Sequence, residues 1–199
     1  VYDPACGSGG MLIEAVHHMN HSSLCCGNIF GQEKNVVNSA IAKMNLFLHG
    51  ASDFNIMQGD TLRNPKILQG GEVAKFDCVI ANPPFSLEKW GSVEWSSDKY
   101  ARNIWGTPSD SCGDYAWIQH MIASMAPGKG RMAVVMPQGV LFRGNEEGRI
   151  REKLVKSDMV EAVVTLGDKL FYGTGLSPCF LIIRKMKPAA HSARILMID

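Results

Sequence analysis

Apolar positions along the chain fall into two kinds of segment that alternate. Short unbroken apolar runs stop at a glycine, a proline or an acid; longer ones repeat apolar residues three and four positions apart. The first kind predicts strands buried on both faces of a parallel sheet, the second helices laid against it. Strands are expected at the tail Val1 to Asp3, at Asn28 to Phe30, Phe54 to Met57, Cys78 to Ala81, Arg131 to Met136, Met159 to Leu166 and Cys179 to Arg184, with Arg194 to Ile198 adding a final edge strand. Helices are expected at Met11 to Met19, Asn35 to His49, Asp114 to Ala126 and Glu146 to Lys156. Gly50 and the Pro127-Gly128 pair end the second and third of these. The third reads as amphipathic, and the second carries Val36, Ala40, Met44, Leu46 and Phe47 as its apolar residues.

Two stretches lack periodicity. Thr61 to Lys75 is polar and turn-rich, which suits a surface connection. Ser86 to Gly113 interleaves Trp90, Trp95, Tyr100 and Trp105 with Lys89, Lys99 and Arg102. Such a loop is either a contact for unstacked nucleic acid at the mouth of a site or a satellite core packed under itself.

The chemistry gathers where strands stop, the edge at which open α/β sheets bind ligands. Asp3-Pro4-Ala5-Cys6-Gly7-Ser8-Gly9-Gly10 is a glycine-rich strand-to-helix turn that lets a ligand approach backbone N–H groups. It does not match the dinucleotide fingerprint G-x-G-x-x-G, because Leu12 stands where the third glycine belongs. Asp3 would also repel a pyrophosphate and suits a cationic or zwitterionic ligand, such as the amino-acid end of S-adenosylmethionine. Glu33 ends the second strand, 24 residues past Gly9. That position suits a ribose diol, or else a solvated acid at a helix start. Asp60, followed by Thr61, ends the third strand and could accept from an adenine amino group. The fourth ends at Asn82-Pro83-Pro84-Phe85. Two prolines stiffen this turn, the amide offers a carbonyl acceptor to an amino group, and the ring offers a face to a flat heterocycle.

With 199 residues, 46% of them hydrophobic, the chain can bury one sizeable core, and residues 1–199 are read as one domain. The net charge is +1, from 20 basic and 19 acidic residues. A protein that grips nucleic acid unaided shows a basic excess, so any grip on DNA must come largely from elsewhere. Arg149, Arg151, Lys153 and Lys156 form either a solvated face or a phosphate contact. No apolar run approaches the roughly 18 residues of a membrane span, which points to a cytoplasmic protein without membrane contact. Six cysteines (Cys6, Cys25, Cys26, Cys78, Cys112 and Cys179) show no disulfide or C-x-x-C spacing and read as reduced thiols. His17, His18 and His21 near Cys25 lack a second ligand cluster, so no metal is expected. Pro178-Cys179 has no motif around it and reads as a core thiol.

Taken together, Asp3 to Gly10 and Ile80-Ala81-Asn82-Pro83-Pro84-Phe85 resemble the N6-adenine DNA methyltransferases, in particular the modification subunits of type I restriction–modification systems. The similarity runs through Gly31-Gln32-Glu33, Ala42 to Leu46, Gly59 to Leu62, Met136 to Arg143 and Leu170 to Gly175, and so along nearly the whole chain. It implies an α/β, class I S-adenosylmethionine-dependent methyltransferase (Rossmann-like) three-layer sandwich: a mostly parallel seven-stranded sheet with one antiparallel strand. It implies that Asp3, Pro4, Ala5, Cys6, Gly7, Ser8, Gly9 and Gly10 border the methionine moiety of S-adenosyl-L-methionine, Glu33 its ribose, and Asp60 with Thr61 its adenine. Asn82, Pro83, Pro84 and Phe85 would hold the target adenine as catalytic residues, Asn82 also bordering the cofactor. It further implies double-stranded DNA as substrate, with a DNA specificity subunit, a second modification subunit and a restriction subunit as partners. A helical domain and a cofactor-contacting segment would precede Asp3 in the whole protein. The same Asn-Pro-Pro-aromatic pattern also serves enzymes that methylate protein glutamine or guanine N2 of ribosomal RNA. A third reading is a non-catalytic binding module on the same fold.

Overall fold

The computed structural model describes residues 1–21, 27–167, 170 and 176–199. Cys25, Cys26 and the Gly173-Thr174-Gly175 turn lie outside these. An eight-stranded sheet runs in the order β3-β2-β1-β6-β7-β9-β8-β10. Its strands are β1 (Tyr2–Asp3), β2 (Ile29–Glu33), β3 (Phe54–Gln58), β6 (Cys78–Ala81), β7 (Arg131–Pro137), β8 (Val160–Thr165), β9 (Pro178–Arg184) and β10 (Leu196–Ile198). Only β9 runs antiparallel to its neighbours. The expected sheet is therefore present, with Leu196–Ile198 added at the edge as an eighth strand. Thr61 to Lys75 is more than a connection: it contains a hairpin of β4 (Leu68–Gln69) and β5 (Glu72–Val73). Leu62, Ile67 and Val73 from this stretch enter the core.

Helices cover both faces. Helix α1 (Gly10–His21) and α2 (Val36–Leu48) pack over β1, β2 and β3 with Leu12, Ile13, Val16, Ala42 and Leu46 inward. Asn35 caps α2, its side chain accepting from the N–H groups of Val37 and Asn38. Only Ser39, Ala42 and Leu46 of α2 are buried, so most of its expected apolar residues face outward. Val36, Met44 and Phe47 are all exposed. Small residues line the inward face because the glycine turn comes close: a Cβ on Gly9 would lie 3.4 Å from Ala42. A Cβ on Gly31 would meet Ile56 at 2.7 Å, the Cys6 sulfur at 3.0 Å and Leu12 at 3.1 Å. Leu12 thus fills the space beside β2, and the missing side chain at Gly31 supplies the room.

The other face holds α4 (Asp114–Ala123) and α5 (Asn145–Lys156). α4 is not amphipathic as expected. Asp114 through Ile122 are all buried, because the loop from Ser86 to Gly113 covers its outer side. That loop carries the short helix α3 (Ser92–Ser96) and turns Trp90 and Trp95 inward, while Tyr100 and Trp105 stay partly exposed. Trp90 and Trp95 are buried edge to face at 5.6 Å, and Arg102 is 1% exposed over the Trp95 ring at 4.4 Å. The Arg102 guanidinium donates to the carbonyls of Thr61 (2.9 Å) and Leu62 (2.7 Å) and to the Asp98 carboxylate. Of the two readings of this loop, satellite core packing holds for Trp90, Trp95 and Arg102. In α5, Arg151 donates to the carbonyls of Val140 and Arg143, and Lys153 to that of Trp105, while Arg149 and Lys156 make exposed pairs with Glu146 and Glu152. Among the described residues no helix is long and apolar enough to cross a membrane.

His120 is fully buried between the Tyr2 hydroxyl (3.0 Å) and Arg102 (3.1 Å). A guanidinium only donates, so Nδ1 accepts and the ring proton sits on Nε2. Burial, then Arg102 and Lys75, hold its pKa well below the ordinary imidazole value of 6.5. The stabilisation by the neutral ring is complete above about 6.5 and is lost as pH falls through the depressed folded value. His120→Gln should therefore flatten the parent's loss of unfolding midpoint on acidification from about pH 7 to 5; an equal slope in both proteins would refute this role. Gly31→Ala should cost about 1–3 kcal/mol through overpacking, read as a lower urea midpoint.

Candidate active site

The sheet's strand order reverses between β1 and β6, and the ends of β1, β2, β3 and β6 bound one crevice. Tyr2 pairs with Phe30 on one side and with Val79 on the other, so β1 leaves the sheet after Asp3 while β6 continues to Ala81. Asp3 is buried and accepts from the Ala5 N–H at 2.9 Å. The turn then uses left-handed backbone at Gly7 (φ 53°) and Gly9 (φ 87°), where a side chain would be strained. Glu33 closes it: one carboxylate oxygen accepts from Gly7 N–H at 3.0 Å, the other from Asn35 N–H at 2.7 Å. Glu33 is thus a bridge between the glycine turn and the start of α2, not a solvated acid. Cys6 is buried, its N–H bonded to the Gln32 carbonyl, while Ser8 and Gly10 are exposed.

At the tip of β3, Asp60 pairs with Lys34 at 2.9 Å and accepts weakly from Arg63 N–H. Lys34 is 70% exposed, so this pair contributes only about 0–1 kcal/mol and is easily displaced. Thr61 is buried and donates to the Pro4 carbonyl at 2.6 Å, tying the third strand's loop to the first. Gln32, which the sequence reading did not single out, is wholly buried. It bonds Asn64 and Lys66 on the same loop, and its position after a strand glycine was the only signal.

A cleft of about 460 Å³ unites these strand ends, lined by Pro4, Ala5, Glu33, Asp60, Thr61 and Pro84. Leu87 and Trp117 add an apolar wall that the sequence did not reveal. Six expected site residues therefore share one cavity. Asp3, Cys6 and the four residues Gly7 to Gly10 shape its border instead of lining it. Asn82 is exposed at the tip of β6, Pro83 is buried beneath it, and Phe85 is half-buried.

Burial pushes the Asp3 carboxyl up to about 7, helped by the Glu33 carboxylate and opposed by the Ala5 N–H. Burial, then Asp3 and Glu33, push the Cys6 thiol up to about 12, far from a thiolate nucleophile. Cys179 lies inside β9 without exposure and is raised to about 11 by burial, as a core thiol should be. The His17 ring lies tilted against His49 at 5.5 Å, while Cys25 and the His21 side chain lie outside what is described. Among the described residues, one group of acids and thiols has metal-like spacing: Cys112, Asp114 and Glu147. The Arg143 guanidinium already fills it, paired with both carboxylates.

The family model for N-6 DNA Methylase matches residues 1–199. The MjaVII type I restriction enzyme methylase subunit of Methanocaldococcus jannaschii is 35% identical over the whole chain, and the HindI methylase subunit of Haemophilus influenzae 31%. The chain spans 35% and 44% of those two proteins. A solved type I restriction–modification methyltransferase subunit from Streptococcus thermophilus superposes with a TM-score of 0.83 at 31% identity, over 94% of this chain and 39% of that one. A match along every residue, together with glycine-turn and Asn-Pro-Pro-Phe strand ends meeting at one crevice, makes the chain a member of the N-6 DNA Methylase family.

Proposed function

We propose that the protein containing this chain transfers a methyl group from S-adenosylmethionine to N6 of adenine in double-stranded DNA, as the modification subunit of a type I restriction–modification system. Residues 1–199 form its catalytic core. One observation carries the reading: an exposed amide on a Pro-Pro turn at the tip of β6, beside a cleft bounded by acids at three neighbouring strand ends. The cleft residues fit the donor. Glu33 and Asp60 offer acceptors for a diol and an amino group, and Pro84, Leu87 and Trp117 offer apolar walls. Asp3, buried at the border, carries negative charge toward a cationic end only above about pH 7. Its volume lies within the range usual for small-ligand sites.

When bound, the donor supplies an electrophilic methyl on a sulfonium. The chain's residues prepare the other reactant. The N6 lone pair of adenine is delocalised into the ring, and inside a duplex the base is out of reach, so it must be flipped out. Stacking on Phe85 would offset part of that cost, such contacts contributing about 1–3 kcal/mol. The Asn82 side-chain oxygen and the Pro83 carbonyl accept the two amino hydrogens, which localises the lone pair toward the methyl. The stiffness of Pro83 and Pro84 holds these acceptors in place without a covalent nucleophile. With a near-neutral chain, grip on DNA falls to partners: a specificity subunit, a second modification subunit and a restriction subunit.

In the assembled protein, Asn82→Ala should abolish transfer to duplex DNA while S-adenosylmethionine binds within about twofold of the parent. Normal turnover would contradict the assignment. Cofactor affinity should also rise as pH passes from about 6 to 8. Below about 7 the Asp3 carboxyl is protonated and neutral, and above it the carboxylate attracts the donor's ammonium. Calorimetry in buffers of differing ionisation enthalpy should detect the proton released near neutrality, and Asp3→Asn should bind more weakly with a flat pH profile.

A further inference from the structure

A second cleft, of about 410 Å³, starts at Ser86, directly after the Asn-Pro-Pro-Phe turn, and is lined in part by Gln138, Gly139, Phe142 and Arg143. A chain of charges runs inward from its Arg143. The Asp114 side chain, 1% exposed at the start of α4, accepts from the backbone N–H of Ser86 at 2.7 Å. Ser86 directly follows Phe85 and holds a left-handed conformation (φ 49°), unfavourable for a side-chain-bearing residue without such a bond. The second oxygen of Asp114 pairs with Arg143, and Arg143 pairs in turn with Glu147 on α5. The Cys112 thiol also leans on Asp114, at 3.3 Å. Gly139 leaves the guanidinium its place, since a Cβ there would come within 2.7 Å of Arg143 Nη1. Arg151 fixes the Arg143 carbonyl at 2.7 Å.

We infer that Asp114 and Arg143 are positioning residues for methyl transfer: their ion pair, anchored by Glu147, sets the tilt of the Asn82–Phe85 turn through the Ser86 N–H. The inference rests on the reading of Asn82 as the group that meets the target amine. The physics favours a link of this kind. Pro83 and Pro84 cannot donate, and the Ser86 N–H fastens the chain directly after Phe85 to a buried carboxylate. A buried carboxylate holding that N–H needs a countercharge, which Arg143 supplies with a fork able to engage Asp114 and Glu147 together. Neither residue needs to touch a substrate to matter, because a misplacement of about 1 Å at a reacting group costs around 100-fold in rate.

The test uses the assembled modification complex with its DNA. Arg143→Gln should lower kcat by about 100-fold, with the Kd for S-adenosylmethionine and the KM for DNA within about twofold of the parent. That split arises because neither Asp114 nor Arg143 lines the donor cleft. Parental kcat would overturn the inference. So would a loss of kcat matching the loss of folded complex seen by thermal unfolding, since the pair would then serve stability alone. If Arg143→Gln does not assemble, Asp114→Asn decides: it keeps an acceptor for Ser86 and removes the charge that holds Arg143. A selective loss of kcat there supports positioning, and parental kcat refutes it. Asn82→Ala, run alongside, separates the two claims. Full activity in that variant sinks the catalytic reading, whereas its inactivity beside a fully active Arg143→Gln sinks only the positioning role.

Discussion

A two-residue strand at the middle of the sheet sets the terms for everything around it. β1 hydrogen-bonds to β2 and to β6 but is spent after Asp3, so its chain must turn away while both neighbours continue. That step opens the crevice and leaves backbone N–H groups at its rim without ladder partners. Unpaired N–H groups are costly unless something accepts from them, and here acids do so. Asp3 takes the N–H of Ala5, Glu33 those of Gly7 and Asn35, and Asp60 that of Arg63. The acids that sequence alone marks as ligand contacts are thus also the groups that shape the loops. The two tasks are compatible, because each carboxylate has about four lone-pair sites and the backbone uses only one or two.

Legibility in the sequence followed the range of the interactions involved. Strands of unbroken apolar residues and the stops that end them are local signals, and the sheet matched them almost strand for strand. The glycine turn and the Asn-Pro-Pro-Phe tip were legible for the same reason: both rest on what glycine and proline do to their own backbone. Orientation was not. Nothing near Arg102 in sequence says that it turns inward, because its acceptors at Thr61 and Leu62 are about forty residues away. The Trp residues beside it looked equally fit to meet a base or to fill a core. α4 looked amphipathic because the loop that buries its polar side is itself aperiodic. α2 misled in the opposite sense, since close approach of the glycine turn selects Ser39 and Ala42 for the inward face and turns the bulky stripe outward. Asp114 could not be recognised at all. Its partners Ser86 and Arg143 lie 28 and 29 residues to either side.

Charge shows how far this chain's own contribution extends. The net charge of +1 already argues against a strong hold on a polyanion, and the arrangement of the cations sharpens the point. Arg102 and Lys187 have almost no exposed side chain, while Arg143, Arg131 and Arg184 are paired with Asp114, Glu147 or Glu161. Arg151 serves carbonyls within the fold. Each cation so committed is one fewer to neutralise a phosphate and release a counterion, the term that dominates affinity for DNA. Arg102 and Arg143 instead hold loops beside the two clefts, at Thr61 and Leu62 and through Asp114 at Ser86. Order in the loops at the strand tips is thus obtained from cations already committed within the fold. If the chain acts on DNA as proposed, the grip on the duplex must come from charges outside this set.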